Sequence, residues 1–112
     1  MSDIVLEHEK AIALFDAYKG MLTSVQRELF SDYYLYDLSL SEIAENRSIS
    51  RAAASDGIKK SLQKMEECEE KLGILVYRES LKKALQSFED ASSESEKEKA
   101  LASLKEIINH GI

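Results

Sequence analysis

The stretch Ser39–Lys60, SLSEIAENRSISRAAASDGIKK, constrains this chain more than any other. Ser39-x-x-Glu42 is a capping box: the hydroxyl and the carboxylate each satisfy a backbone N–H that the first turn of a helix leaves without a partner. The helix it opens buries Leu40, Ile43 and Ala44 and ends near Asn46. A short turn closes on apolar Ile49, Ser50 caps the next helix, and Ile58 falls at its buried position eight residues on. Ala44 is small enough to let the two helices approach. Helix, tight turn and helix make the layout of a helix-turn-helix, with an ordinary helical corner as the alternative.

The second of these helices meets no breaker from Arg51 to Leu72 except Gly57, and Gly73 is its left-handed stop, closed by Ile74. Twenty-two residues span about 33 Å. Ile58, Leu62, Met65, Cys68 and Leu72 run along it as a packed seam, so its far half needs a partner. The rest of the chain is helical too. No proline occurs in 112 residues, glycine occurs four times, and 44% of residues are apolar against 32% charged, the balance of an all-α protein.

Helical spacing of Ile4, Val5, His8, Ala11, Ile12, Phe15 and Tyr18 predicts a first helix over about 3–19, stopped by Gly20. Thr23 and Gln26 form another capping box, followed by a helix to about Leu35 that buries Val25, Leu29, Phe30 and Tyr33. Beyond Gly73, residues 74–90 place Leu75, Leu81, Ala84, Leu85 and Phe88 inward. After a polar break, residues 94–109 place Leu101, Leu104, Ile107 and Ile108 on one side. The organisation expected is a helix-turn-helix domain over 1–73 and a helical extension over 74–112. Two amphipathic helices alone make a thin core, so the extension is expected to pack on the rest of the chain or on a second copy, making a homodimer.

Net charge is −6, which argues against strong non-specific affinity for DNA. Yet Arg47–Lys64 carries five basic residues against Asp56 alone, a local +4, while residues 1–38 carry three basic against seven acidic. Such segregation aims one face at phosphates and repels them elsewhere. Arg51 is the residue able to make a bidentate guanine contact, Ser55 permits close approach, and Arg47, Lys59, Lys60 and Lys64 are candidate phosphate contacts. A solvated helix face with scattered charge remains open for the same residues. Gly57 costs about 1 kcal/mol against alanine in mid-helix. Phe30, Tyr33, Tyr34 and Tyr36 suit helix packing better than base stacking, and Glu66–Glu70 suits a solvated face or a dock for a basic protein.

Catalysis has no foothold. There is no Gly-rich phosphate loop, nucleophile elbow or His–Glu metal pair, and His8 and His110 stand at opposite ends. No cofactor or metal is expected. Cys68 cannot staple the fold, and a reducing cytoplasm is the compartment expected. The N-terminus lacks the pattern of a signal peptide, and the apolar run Ile74–Tyr77 is too short to span a bilayer.

The blocks Leu22-Thr-x-x-Gln26-Arg27, Tyr33-Tyr34-Leu35-x-Asp37-x-Ser39-Leu40-x-Glu42-Ile43-Ala44-Glu45, Ile49-Ser50-Arg51-x-Ala53, Asp56-x-Ile58-Lys59 and Glu69-Glu70-Lys71-Leu72 together resemble the YlxM-type proteins. These are small bacterial helix-turn-helix proteins of the signal-recognition-particle operon. The match covers about residues 4–85, and its central part is also similar to the fourth conserved region of bacterial sigma factors. The resemblance implies an all-helical cytoplasmic protein with a regulatory role in membrane-protein targeting, with nucleic acid or the particle's own components as partners and no catalytic residues. The chain departs from the family pattern at Ala52, Ala54, Ser55 and Gly57, where larger polar or aromatic side chains are usual, and at Ser48, where Gly or Asn is usual.

Overall fold

Helix caps set the boundaries in the computed structural model, which describes residues 7–110. Helix α1 is His8–Tyr18, followed by a 3₁₀ turn Lys19–Met21. The start of the first helix, with Ile4 and Val5, lies outside the described residues. Helix α2, Ser24–Phe30, opens on the Thr23–Gln26 capping box with both reciprocal hydrogen bonds in place. Helix α3, Leu40–Arg47, opens on the Ser39–Glu42 box in the same way. Helix α4 runs Arg51–Leu72, α5 Ile74–Asp90 and α6 Glu94–His110. No strand occurs among the described residues, and none of their helices is long and apolar enough to cross a membrane. The all-α expectation holds.

The helix expected to continue to Leu35 changes pitch instead. From Ser31 to Leu35 it widens into a π turn, with the Tyr36 amide bonded to the Ser31 carbonyl five residues back at 3.0 Å. The wider turn shifts the inward face, so Tyr34 rather than Tyr33 is buried, along with Asp32. Val25, expected inside, is 60% exposed: it sits in the first turn of α2, and the helix buries Leu29 and Phe30 on another side.

The chain divides into two units between Leu72 and Gly73. Gly73 is left-handed (φ 65°), as the sequence requires of a helix stop.

In the first unit α4 is the mast. Its side chains Ala54, Ile58, Ser61, Leu62 and Met65 are buried beneath α1, α2 and α3. Helix α1 supplies Ala11, Leu14 and Tyr18, and the Tyr18 hydroxyl donates to Glu69 of α4 at 2.5 Å. The far half of α4 therefore finds its partner in α1, although Leu72, the last residue of the expected seam, is exposed. Phe15, Phe30 and Tyr34 stack in succession at ring separations of 4.5 and 4.7 Å. Gly57 lets α4 touch α2: a β-carbon there would lie 2.5 Å from Leu29 Cδ1. The helix-propensity cost of that glycine offsets a clash, and Ser61 Oγ, which donates to the Gly57 carbonyl at 2.8 Å, continues the narrow contact.

The second unit is a hairpin of α5 and α6. Its buried residues, among those described, are Ala84 and Ala100, which bring the helices close. Leu85 and Phe88, expected inward, are 50% and 38% exposed, and Leu101 and Ile108, expected together on one side of their helix, are 41% and 59% exposed. Two helices can cover only one narrow stripe on each other, and small residues occupy that stripe here.

Candidate nucleic-acid interface

Ile43 of α3 and Ala54 and Ile58 of α4 are fully buried and hold the two helices of the motif together. Between them Ser48 adopts the left-handed conformation (φ 55°, ψ 44°), one that residues other than Gly, Asn and Asp seldom take. The turn compensates with backbone bonds. The Ile49 amide reaches the Ala44 carbonyl at 3.0 Å, and the Ser48 amide reaches Glu45 at 3.3 Å. Ser50 Oγ accepts the Ala53 amide at 2.9 Å and so caps α4 as expected.

At about 100° of rotation per residue, α4 offers the candidate residues as two rows rather than one face. Arg51, Ser55 and Lys59 follow at four-residue intervals, a row that drifts from the side of Ile58 at the exposed N-terminal end of α4 to the solvent edge at Lys59. Lys60 and Lys64 lie along the other edge. The crest between them carries Ala52, Asp56, Gln63 and Glu67. Arg51, Lys59 and Lys60 are exposed, and Ser55 and Lys64 are half-buried. Lys60 pairs with Asp56 at 3.0 Å across one turn, both ends well solvated. That exposed pair is weak and exchanges readily for another anion.

Arg47 stands apart from the other five. Its Nε and one terminal nitrogen donate to the two carboxylate oxygens of Asp32, at 2.5 and 3.0 Å, and its other terminal nitrogen lies 3.5 Å from Glu28. The hydrogen bond to Asp32 lifts the guanidinium pKa further above its ordinary value. This fork pins the π turn to the C-terminus of α3, so the charge read as a phosphate contact is matched inside the fold. Of the local +4, one charge is thereby committed. The signal was present in the sequence: Asp32 lies inside an aromatic run, and a carboxylate buried there requires a cation.

Two further features were not foreseen. The Tyr34 hydroxyl is buried with no hydrogen-bond partner among the described residues, and its pKa is pushed up to about 12, by burial first and then by Tyr33 and Glu66. A cleft of about 460 Å³ beside it is lined by His8, Tyr33, Asp37, Ser39 and Glu42 among others. The Glu42 carboxyl sits below its usual range because the Ser39 backbone and hydroxyl hydrogen-bond to it. Among the described residues no group of three or more His, Cys, Asp or Glu side chains is placed to hold a metal ion.

Comparison with known proteins places this architecture. A family model described as "Putative helix-turn-helix protein, YlxM / p13 like" matches residues 6–107. The UPF0122 protein BH2485 of Halalkalibacterium halodurans is 41% identical over 96 residues, covering 86% of this chain and 88% of the relative. The UPF0122 protein YlxM of Bacillus subtilis is 39% identical, covering 85% and 86%. A UPF0122 protein of Bacillus cereus is 42% identical, covering 86% and 73%.

Proposed function

The chain belongs to the YlxM/p13-like helix-turn-helix family, and from that premise we propose that it is a non-enzymatic regulator in the cytoplasm that binds nucleic acid through α4 and acts in the signal-recognition-particle pathway. The observation that carries this reading is the pair of basic rows on α4. A helix about 10–12 Å across fills a major groove about 12 Å wide, and cations on both edges then face both phosphate walls. Arg51 and Lys59 serve one wall and Lys60 and Lys64 the other. Arg51, at the N-terminal tip, is also placed to probe a base edge, and Ser55 and Ala52 leave room for the approach. Lys60 exchanges Asp56 for a phosphate. Arg47 orients α3 beneath this surface. The chain acts as a homodimer, the arrangement by which helix-turn-helix proteins read two half-sites.

The test is a salt titration of binding to duplex DNA from the protein's own operon and to signal-recognition-particle RNA, side by side. Wild type binds one of them with a steep salt dependence. Lys59→Glu/Lys60→Glu lowers affinity about tenfold or more and flattens the logarithmic salt slope on DNA by about 2. Unchanged affinity in that variant refutes the reading.

A second reading has its own support. The crest of α4 places Ala52 and Asp56 where a base reader needs donors, and Glu66, Glu67 and Glu70 follow on the same helix, exposed. These features suit a protein that docks on the particle's GTPase or on its RNA complex while its helix-turn-helix serves as scaffold. Retention of the GTPase by this chain with no affinity for either nucleic acid alone selects this reading.

A further inference from the structure

We propose that the α5–α6 hairpin is the dimer interface, and that two copies pair face to face with the closed tip of each hairpin lying over the open end of the other. This deepens the homodimer reading above and rests on it. The first observation is the uncovered apolar face. With Ala84 and Ala100 turned toward each other, helical rotation brings Leu81, Leu85 and Phe88 of α5 and Leu101, Leu104 and Ile108 of α6 to the same side of the hairpin. The opposite side is a shallow groove of mixed character, where Ser80, Lys83, Ser87, Glu96 and Ser103 stand beside Ile107. One side of a two-helix unit is thus as apolar as a core and half-exposed. A hairpin whose own interior is two alanines needs a second layer to be stable.

The second observation identifies the layer. Charge in the hairpin is split end from end. Residues 86–98, around the tip, carry five acids against Lys97. Residues 74–85 and 99–110, toward the open end, carry five Lys and Arg against Glu79 and Glu106. The exposed rim of the apolar face repeats the split, with Glu89, Glu94 and Glu98 against Lys97 at the tip and Arg78, Lys82 and Lys105 toward the open end. Two identical faces meet in a closed dimer in one of two ways, tip over tip or tip over open end. Tip over tip stacks acid on acid and base on base. Tip over open end sets α5 antiparallel to its counterpart, with Arg78 and Lys82 beside the partner subunit's Glu89, and α6 likewise, with Lys105 beside the acids of the partner's α6. Leu85 and Leu101, near the middle of their helices, then cross at the two-fold axis. The surface is complementary to itself in one orientation only, which points to a second copy of this chain rather than to a foreign partner.

Sedimentation equilibrium of the full chain tests this with two exposed charge-reversal sets, Glu89→Lys/Glu94→Lys/Glu98→Lys and Arg78→Glu/Lys82→Glu/Lys105→Glu. Wild type should run at about twice 12.6 kDa. Each set alone should raise the dimer dissociation constant about tenfold or more, and an equimolar mixture of the two should restore tight association, because reversed tips then meet reversed ends. Leu85→Glu/Leu101→Glu should give a monomer whose far-ultraviolet dichroism stays helical. A wild-type chain that is monomeric at every concentration overturns the dimer altogether. A wild-type dimer indifferent to both charge sets, or not restored by mixing them, overturns this interface and leaves a dimer through another surface.

Discussion

Helices α1–α4 and helices α5–α6 obey the same amphipathic rule and end in opposite conditions. In the first unit, Leu14, Tyr18, Phe30, Ile43, Ile58 and Met65 are at most 2% exposed, and their shapes differ enough to fill one another's gaps. In the second, the buried residues among those described are two alanines, and five large apolar side chains, Val76, Leu85, Phe88, Leu101 and Ile108, are more than a third exposed. The difference is one of geometry. A helix with three neighbours closes most of its apolar stripe, as α4 does up to Met65 though not at Leu72, whereas a helix with one neighbour closes a single line of contact. A period of 3.6 in the sequence therefore certifies a helix and an apolar side, and leaves open what covers that side.

The largest effect that could break this contrast comes from truncating one large apolar residue in each unit. Phe30→Ala removes the centre of the Phe15–Phe30–Tyr34 stack and should cost about 3–5 kcal/mol in denaturant unfolding. Leu85→Ala, measured at concentrations low enough for a monomer, should cost less than about 1 kcal/mol because its side chain is already half in water. At high concentration the Leu85 penalty should grow, since association stabilises the folded hairpin by mass action. Equal costs at low concentration would mean that the two units are covered alike, and the contrast would fail.

The contrast also explains which parts of the molecule were legible in the sequence. Caps were: the Thr23 and Ser39 boxes, the Ser50 cap and the Gly73 stop each act through neighbours two to four residues away, so local chemistry determines them. The helix-turn-helix followed from the same signals. Packing partners were not legible, because they depend on which helices meet. Leu85, Phe88, Leu101 and Ile108 fell on the right stripe and lacked a neighbour. The π turn at Ser31–Leu35 was missed because one extra residue in a turn leaves no mark on an apolar pattern this short. It moved burial from Tyr33 to Tyr34 and brought Asp32 inside. Of the candidate site, the placing of Arg51, Ser55, Lys59, Lys60 and Lys64 along one helix was legible, and their division into two rows emerged once α4 was continuous and its buried side known. Arg47 was assigned outward because a local charge tally cannot see Asp32, fifteen residues away.

That ion pair supplies the next, smaller effect. Asp32 is 8% exposed and holds Arg47 by two hydrogen bonds, whereas Asp56 and Lys60 pair in open solvent. Asp32→Asn should destabilise by about 1–3 kcal/mol, because a partly buried guanidinium loses its counter-charge. Asp56→Asn should stay within about 0.5 kcal/mol, as solvated pairs do. Thermal unfolding of the two variants side by side decides it. If both cost the same, the Arg47 fork contributes no more than a surface pair, and Arg47 returns to the set of residues available for phosphate.

The smallest effect is also the one that isolates how tightly the first unit is packed. Gly57→Ala gains about 1 kcal/mol of helix propensity in α4 and places a methyl group 2.5 Å from Leu29 Cδ1. Leu29 is 5% exposed and has little room to swing away. Overpacking of this kind costs about 1–3 kcal/mol, so the single variant should be neutral to destabilising by about 1–2 kcal/mol. Leu29→Ala removes the obstructing carbons, and in that background Gly57→Ala should turn stabilising, by about 1 kcal/mol. The reversal of sign is the result to look for, because propensity alone predicts a gain in both backgrounds and a slack interior predicts no coupling between the two positions. A glycine that weakens α4 as an isolated helix is, in the assembled unit, what allows α2 to lie against the helix that carries both basic rows.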